Sequence, residues 1–306
     1  MDYSRAVDRL ITRQLRDWDL AGRNYAALAG VATRCLHLGE STIVLQYNPE
    51  RRRSSAAAID RQSLLSRKCF LCCENQPAKQ KAILWGERYK IQVNPYPIFE
   101  RHLTIADLRH VPQRLADRVG DMLSLAKALP DFVVFYNGPQ CGASAPDHAH
   151  FQAGAKDGMP LCCELAHATT HMLADGDEGF IGYVDTMGRG CFTIETSTQR
   201  AAERYSPLAV LNNGGAVKSR KFGFNSFAVL RSVSPAPDPY VFVSLKYHSV
   251  AERARYGERS GGLRLHGFLV LGHDGQRFFR YGRFFFGSHL FCYLLCFGFG
   301  LGIGRR

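Results

Sequence analysis

The order of apolar and polar positions in this 306-residue chain predicts helices mixed with short strands. Residues 3–18 carry the charged, amphipathic pattern of a helix. Two strand-like runs follow, Ala32–Leu38 and Thr42–Tyr47, joined at Gly39-Glu40 as a hairpin suited to a sheet edge. The polar, basic tract Pro49–Ala58 reads as a solvated connection. Tyr89–Val93 and His102–Ile105 form a second hairpin around the turn Asn94-Pro95-Tyr96-Pro97. Pro112–Leu129 has helical spacing, with Leu115, Val119, Met122, Leu123 and Ala126 on one face. Further on, the pattern predicts a helix over Leu161–Leu173 and strands at Phe180–Asp185, Cys191–Thr196, Leu208–Asn212, Ser226–Arg231 and Tyr240–Leu245. The fold class expected from this mixture is α+β, an antiparallel sheet backed by helices.

One stretch, FVVFYNGPQCGASAPDHAHFQAG (132–154), breaks the pattern of core strands. An apolar strand, Phe132–Tyr136, leads into a glycine-punctuated loop and then a short strand bearing His148, His150 and Gln152. Strand side chains alternate, so these three share one surface while Ala149 and Phe151 face the other. Ordinary packing, zinc binding by histidines at i and i+2, and phosphoryl or nucleotidyl transfer through a histidine nucleophile all fit that spacing. The loop favours the last. Backbone N–H groups around Gly138, Gly142, Ala143 and Ser144 can form an anion-binding nest, which a structural zinc site does not need. Upstream, Cys69 and Cys72 have the C-x2-C spacing of a zinc knuckle, or are a pair of buried cysteines. His167 and His171 stand four apart without the glutamate of a metalloprotease pattern, and read as rim or surface histidines.

The run NGPQCGASAPDHAHFQ resembles the active segment of the histidine-triad superfamily. It is closest to the transferase branch of galactose-1-phosphate uridylyltransferases, dinucleoside tetraphosphate phosphorylases and GDP-hexose phosphorylases, including uncharacterised bacterial relatives. That branch carries H-x-H-x-Q. The resemblance implies a catalytic set of His148, His150 and Gln152, with His150 attacking the α-phosphorus and Gln152 bonding the phosphoryl oxygens. It implies phosphate contacts at Asn137, Gly142 and Ser144, nucleoside contacts at Asn94 and Pro97, and phosphate or sugar contacts at Lys246 and His248. It also implies a structural zinc on Cys69, Cys72, His110 and His148, with His102 the rival to His110. The implied substrates are a nucleotide sugar or dinucleotide and a phosphate or sugar-phosphate acceptor. The corresponding divisions are an N-terminal appendage (1–60), a catalytic histidine-triad-like half (61–200), a degenerate second half (201–275) and an atypical apolar tail (276–306).

The formal charge of +12 suits a polyanionic ligand such as a nucleotide. No basic stripe with interleaved aromatics accompanies it, so a nucleic-acid partner is not expected. Ten irregularly spaced cysteines, two pairs of them adjacent, do not form a secreted disulfide framework, and the first helix has no apolar signal region. A cytoplasmic, reduced protein is expected. Phe284–Gly304 is uncharged and long enough for a membrane span, but its five glycines weaken it as a helix, so a membrane partner is not expected. A homodimer is compatible with these readings. Hydrolysis of nucleotide phosphoanhydrides and zinc-stapled nucleotide binding without catalysis remain the alternatives.

Overall fold

The computed structural model describes residues 2–38, 41–48, 61–115, 117–139, 143–160, 169–184, 191–205, 222–230, 240–248 and 268–271. Helix α1 (Tyr3–Asp17) is capped by the Asp2 carboxylate, which accepts from the Arg5 amide, and buries Val7, Leu10 and Ile11. Helix α2 (Asp19–Ala26) follows, then the hairpin of β1 (Ala32–Leu38) and β2 (Ser41–Tyr47). This hairpin is not at the edge of the main sheet. With β13 (Phe268–Leu271) parallel to β2, it makes a separate sheet of three. A short helix, α3 (Arg61–Ser66), leads into the cysteine pair.

The main sheet, ten strands among the described residues, begins with β3 (Ala82–Trp85), β4 (Tyr89–Val93), β5 (His102–Asp107), β6 (Phe132–Asn137) and β7 (His150–Ala155). It continues with β8 (Thr170–Gly176), β9 (Gly179–Val184), β10 (Cys191–Thr196), β11 (Phe222–Leu230) and β12 (Tyr240–His248). Their spatial order is β3-β4-β5-β7-β6-β11-β12-β10-β9-β8. Read outward from the central β6–β11 pair, both sides have the same connectivity. This is the α+β antiparallel architecture expected. By strand order the second set of five starts at Thr170.

Strands β4, β5, β6 and β7 are covered on both faces. One face is the core: Tyr89, Ile91, Leu103, Ile105, Phe151, Ala153, Val134 and Tyr136 meet α1 and helix α4 (Val119–Ala128). Residues paired directly across strands share a face, so Lys90–Ala106–His150 and Gln92–Thr104–Gln152 line the other. That second face thus carries the polar residues of the motif, His150 and Gln152.

Two predicted helices need correction. Helix α4 starts at Val119, not Pro112, although Leu115, Val119, Met122, Leu123 and Ala126 are buried as the spacing predicts. Before it, Gln113 and Arg118 are taken up by tertiary hydrogen bonds, and the Arg118 amide donates to the Leu115 carbonyl in a turn. Thr170–Leu173, with His171, lie in strand β8, not on a helix; residues 161–168, with His167, lie outside the described residues. Leu208–Asn212, Pro49–Ala58 and 276–306 lie outside them as well. Among the described residues, no helix is long and apolar enough to cross a membrane.

Candidate active site

The strand carrying the motif is placed by its neighbours. β7 sits between β5 and β6, and its ladder to β6 ends at Phe135 opposite Gln152. Beyond that rung the two strands are joined by a side chain. The Gln113 amide donates to the carbonyl oxygens of Asn137 (3.0 Å) and His150 (2.9 Å), and its oxygen accepts from the His150 N–H (2.8 Å). Gln113 thereby fixes the backbone of His150 from both sides while β6 leaves for the loop. Nothing in local spacing marks Gln113.

His150 is buried, and its Nδ1–H donates to the carbonyl oxygen of His148 at 2.8 Å. A carbonyl can only accept, so Nδ1 carries the proton and Nε2 keeps its lone pair. Burial pushes its pKa from 6.5 down to about 4, against the opposing hydrogen bond to His148. The ring is therefore neutral at pH 7, with its unprotonated nitrogen away from the backbone.

The cysteine pair folds onto the start of this strand. Cys69, Leu71 and Cys72 pack with Ala106 and Ala145. Cys69 Sγ lies 3.3 Å and Cys72 Sγ 3.6 Å from His148 Nδ1, and Cys72 Sγ is 3.2 Å from His110 Nδ1. The four ligand atoms of Cys69, Cys72, His110 and His148 lie within 4.8 Å of one another. Tetrahedral zinc, with bonds of about 2.0–2.3 Å, needs neighbouring ligand atoms roughly 3.4–3.8 Å apart, so the donor set fits a metal in kind and in span. Both imidazoles are also oriented from behind: His148 Nε2–H donates to the Asp107 carbonyl oxygen (2.8 Å), and His110 Nε2 is 3.5 Å from the Asp147 carboxylate. Burial and the neighbouring Cys69 push the Cys72 thiol up to about 12. His110, not His102, completes the cluster.

The Asp107 side chain is fully buried beneath this arrangement, held by Arg118 (2.8 Å), Arg88 (3.4 Å) and the Arg109 amide (2.9 Å). Burial would raise its pKa, but these bonds outweigh that and hold it low. One residue thus anchors two things, through its carboxylate Arg118 and Arg88, which immediately precede α4 and β4, and through its carbonyl the ring of His148. Arg67, just before the cysteines, donates to the Ser144 carbonyl and the Asp147 carboxylate, both at 3.1 Å. It ties the cysteine turn to the glycine loop.

Of the expected substrate contacts, Asn137 ends β6 with its side-chain oxygen buried and without a hydrogen-bond partner, next to the splayed strands. Ser144 lies in the tethered loop, and Gly142 is outside the described residues. Asn94 caps its own turn, its side-chain oxygen accepting from the Tyr96 amide, and Pro97 is buried beside it. Lys246 and His248 occupy the end of β12; Leu245 shares the rung of Asn225, which pairs with Asn137. His102 is fully buried and meets Gln152 instead of the cysteines.

Residues 10–155 match a family model described as "Domain of unknown function (DUF4922)". The galactose-1-phosphate uridylyltransferase of Bacillus subtilis (strain 168) is 28% identical over 134 residues, covering 39% of this chain and 26% of its own length. That of Lactococcus lactis subsp. cremoris (strain SK11) is 29% identical over 122 residues, covering 32% and 24%. The chain spans about a quarter of the length of these curated relatives. The crystal structure of yeast Ap4A phosphorylase Apa2 aligns at 14% identity over 84% of this chain and 87% of that one, with a TM-score of 0.49. The motif and the curated relatives point the same way: over part of its length this chain is similar in sequence to galactose-1-phosphate uridylyltransferases.

Proposed function

We propose that this protein transfers or phosphorolytically releases a nucleotidyl group from a nucleoside diphosphate sugar or dinucleoside polyphosphate, through a nucleotidyl-histidine on His150. The observation that carries this reading is the state of His150, buried, neutral and held by its Nδ1–H with Nε2 unprotonated. In the first step Nε2 attacks the α-phosphorus. The bond from that phosphorus to the bridging oxygen breaks, and the departing phosphate ester takes the electron pair. In the second step an oxygen of inorganic phosphate or a sugar phosphate attacks the same phosphorus and imidazole leaves. Gln152 and the loop amides at Ala143 and Ser144 donate to the equatorial oxygens as charge builds there. The curated relatives are named as uridylyltransferases, which supports nucleotidyl transfer as the reaction class.

Cys69, Cys72, His110 and His148 would hold zinc. With four protein ligands such an ion would be closed to water and would serve as a staple on the start of β7. The test is intact-mass measurement after mixing the protein with a panel of nucleotide sugars. A mass increment of one nucleotide is expected in wild type and none in His150→Ala. Turnover that ignores phosphate would move the reading to hydrolysis, and a wild type that binds nucleotide without ever forming the adduct would remove the catalytic reading.

A further inference from the structure

We propose that His102 is a positioning residue that decides which end of the Gln152 carboxamide meets the substrate; the inference rests on the role of Gln152 given above. An amide can be turned either way, and the two ends are opposite in function: NH2 donates and C=O accepts. A phosphoryl group offers only acceptors, so one orientation of Gln152 helps and the other repels.

The hydrogen bonds around His102 choose between them. The ring Nδ1 lies 3.2 Å from the backbone nitrogen of Ile98, and an N–H can only donate. Nδ1 is therefore the acceptor and the ring proton sits on Nε2. Nε2 is 3.0 Å from the Gln152 side-chain oxygen, so Nε2–H donates to it. The oxygen of Gln152 is thereby engaged, and its NH2 is turned away from His102. Among the described residues, no protein group accepts from that NH2.

This arrangement is built from outside the catalytic strand. Ile98, whose N–H points at His102, is also held through its carbonyl, in the following peptide, by Gln46 on β2, whose side-chain nitrogen donates to it at 3.1 Å. The His102 carbonyl accepts from the Tyr25 hydroxyl of α2 at 2.9 Å and from the Asn94 amide at 2.9 Å. The ring stacks on Phe135 (centroids 6.2 Å apart, 24° between planes) and meets the edge of Phe99 at 5.4 Å. Phe99 in turn occupies the space over Gly154, where an added Cβ would come within 2.5 Å of it. Helix α2 and strand β2, far upstream in sequence, thus reach the site through one imidazole. A ring needed only for packing could be phenylalanine.

That substitution is the test. His102→Phe keeps the aromatic stack and removes the donor. The expected result is a fall of about 10- to 100-fold in the rate of nucleotidyl-histidine formation, with KM changed less than about threefold, since orientation of one oxyanion donor is what is lost. An unchanged rate would overturn the proposal. Nitrogen-15 NMR of the wild-type protein decides it independently of activity and of whether the variant folds. Nδ1 of His102 should be unprotonated and Nε2 protonated, and the Gln152 NH2 signals should move when inorganic phosphate is added. A protonated Nδ1, or Gln152 signals indifferent to phosphate, would overturn it. If wild type forms no adduct, the proposed function fails while the spectra still judge His102.

Discussion

The two sides of the ten-stranded sheet share one strand order but not one chemistry. On the first side, Thr104 of β5, Gln152 of β7 and Phe135 of β6 lie on a single rung. On the second, the matching rung is Thr193 of β10, Val243 of β12 and Phe227 of β11. The flanking threonine and phenylalanine recur, and the central residue changes from an amide to a valine. Two residues earlier in the same strands stand His150 and Val241. Among the described residues, the one cluster of four metal-capable groups also belongs to the first side. One strand order therefore carries the motif residues on one side and valines at the matching positions of β12 on the other, the first with a cysteine turn clamped on its start.

The comparison is most exposed at its central residue. His150→Ala should lower nucleotidyl transfer by at least about 10⁴-fold, whereas Val241→Ala, normalised to folded protein, should change it less than threefold. Equal losses in a single-turnover assay would end the distinction. Next comes the metal. Stripping zinc with a chelator should destabilise the protein by about 4 kcal/mol relative to free zinc at a thousand times Kd, and Cys69→Ser should abolish that difference in thermal melts. At the neighbouring rung, Gln152→Ala should cost about 10²–10³-fold in kcat, while Val243→Ala leaves kcat as it is.

The smallest effect is in acid, and its sign follows from His150. Its folded pKa is about 4 against 6.5 unfolded, so between those values the unfolded chain binds the proton and the native chain does not. Its contribution is complete above pH 6.5 and is lost as pH falls toward 4, by roughly 3 kcal/mol. Denaturant titrations at pH 7 and 4.5 should show a drop that shrinks in His150→Ala; an equal drop in both would assign the loss to other groups.

Much of this was legible in the sequence, and for identifiable reasons. Alternation placed β4 and β10, because strands with a packed neighbour on each side leave a strong apolar signal. The H-x-H-x-Q and C-x2-C spacings pointed to residues that the fold brings together. Strand β8 was missed because almost all of its positions are exposed, so no apolar period marks it. Among the supporting residues, Gln113 and Arg67 were missed and His102 was noticed only as a rival zinc ligand, for another reason. Gln113 reaches His150 across 37 residues, His102 reaches Gln152 across 50, and Arg67 reaches Asp147 across 80. Each is an ordinary polar residue in its own neighbourhood, and only the closed sheet gives it a partner. The start of α4 illustrates the cost: helical spacing was present from Leu115, but the bonds available to Gln113 and Arg118 outweighed one more turn of helix.

The side chain of Gln113 has one more implication. Where β6 and β7 part, the width of the opening is measured out by the reach of a single carboxamide on two methylenes, bonded to both lips. Shortening that reach by one carbon, as in Gln113→Asn, would draw the lips together or let go of one. Aperture and nucleophile are thus gauged by the same residue, so this family of sites could change the size of group it admits without touching the imidazole that reacts.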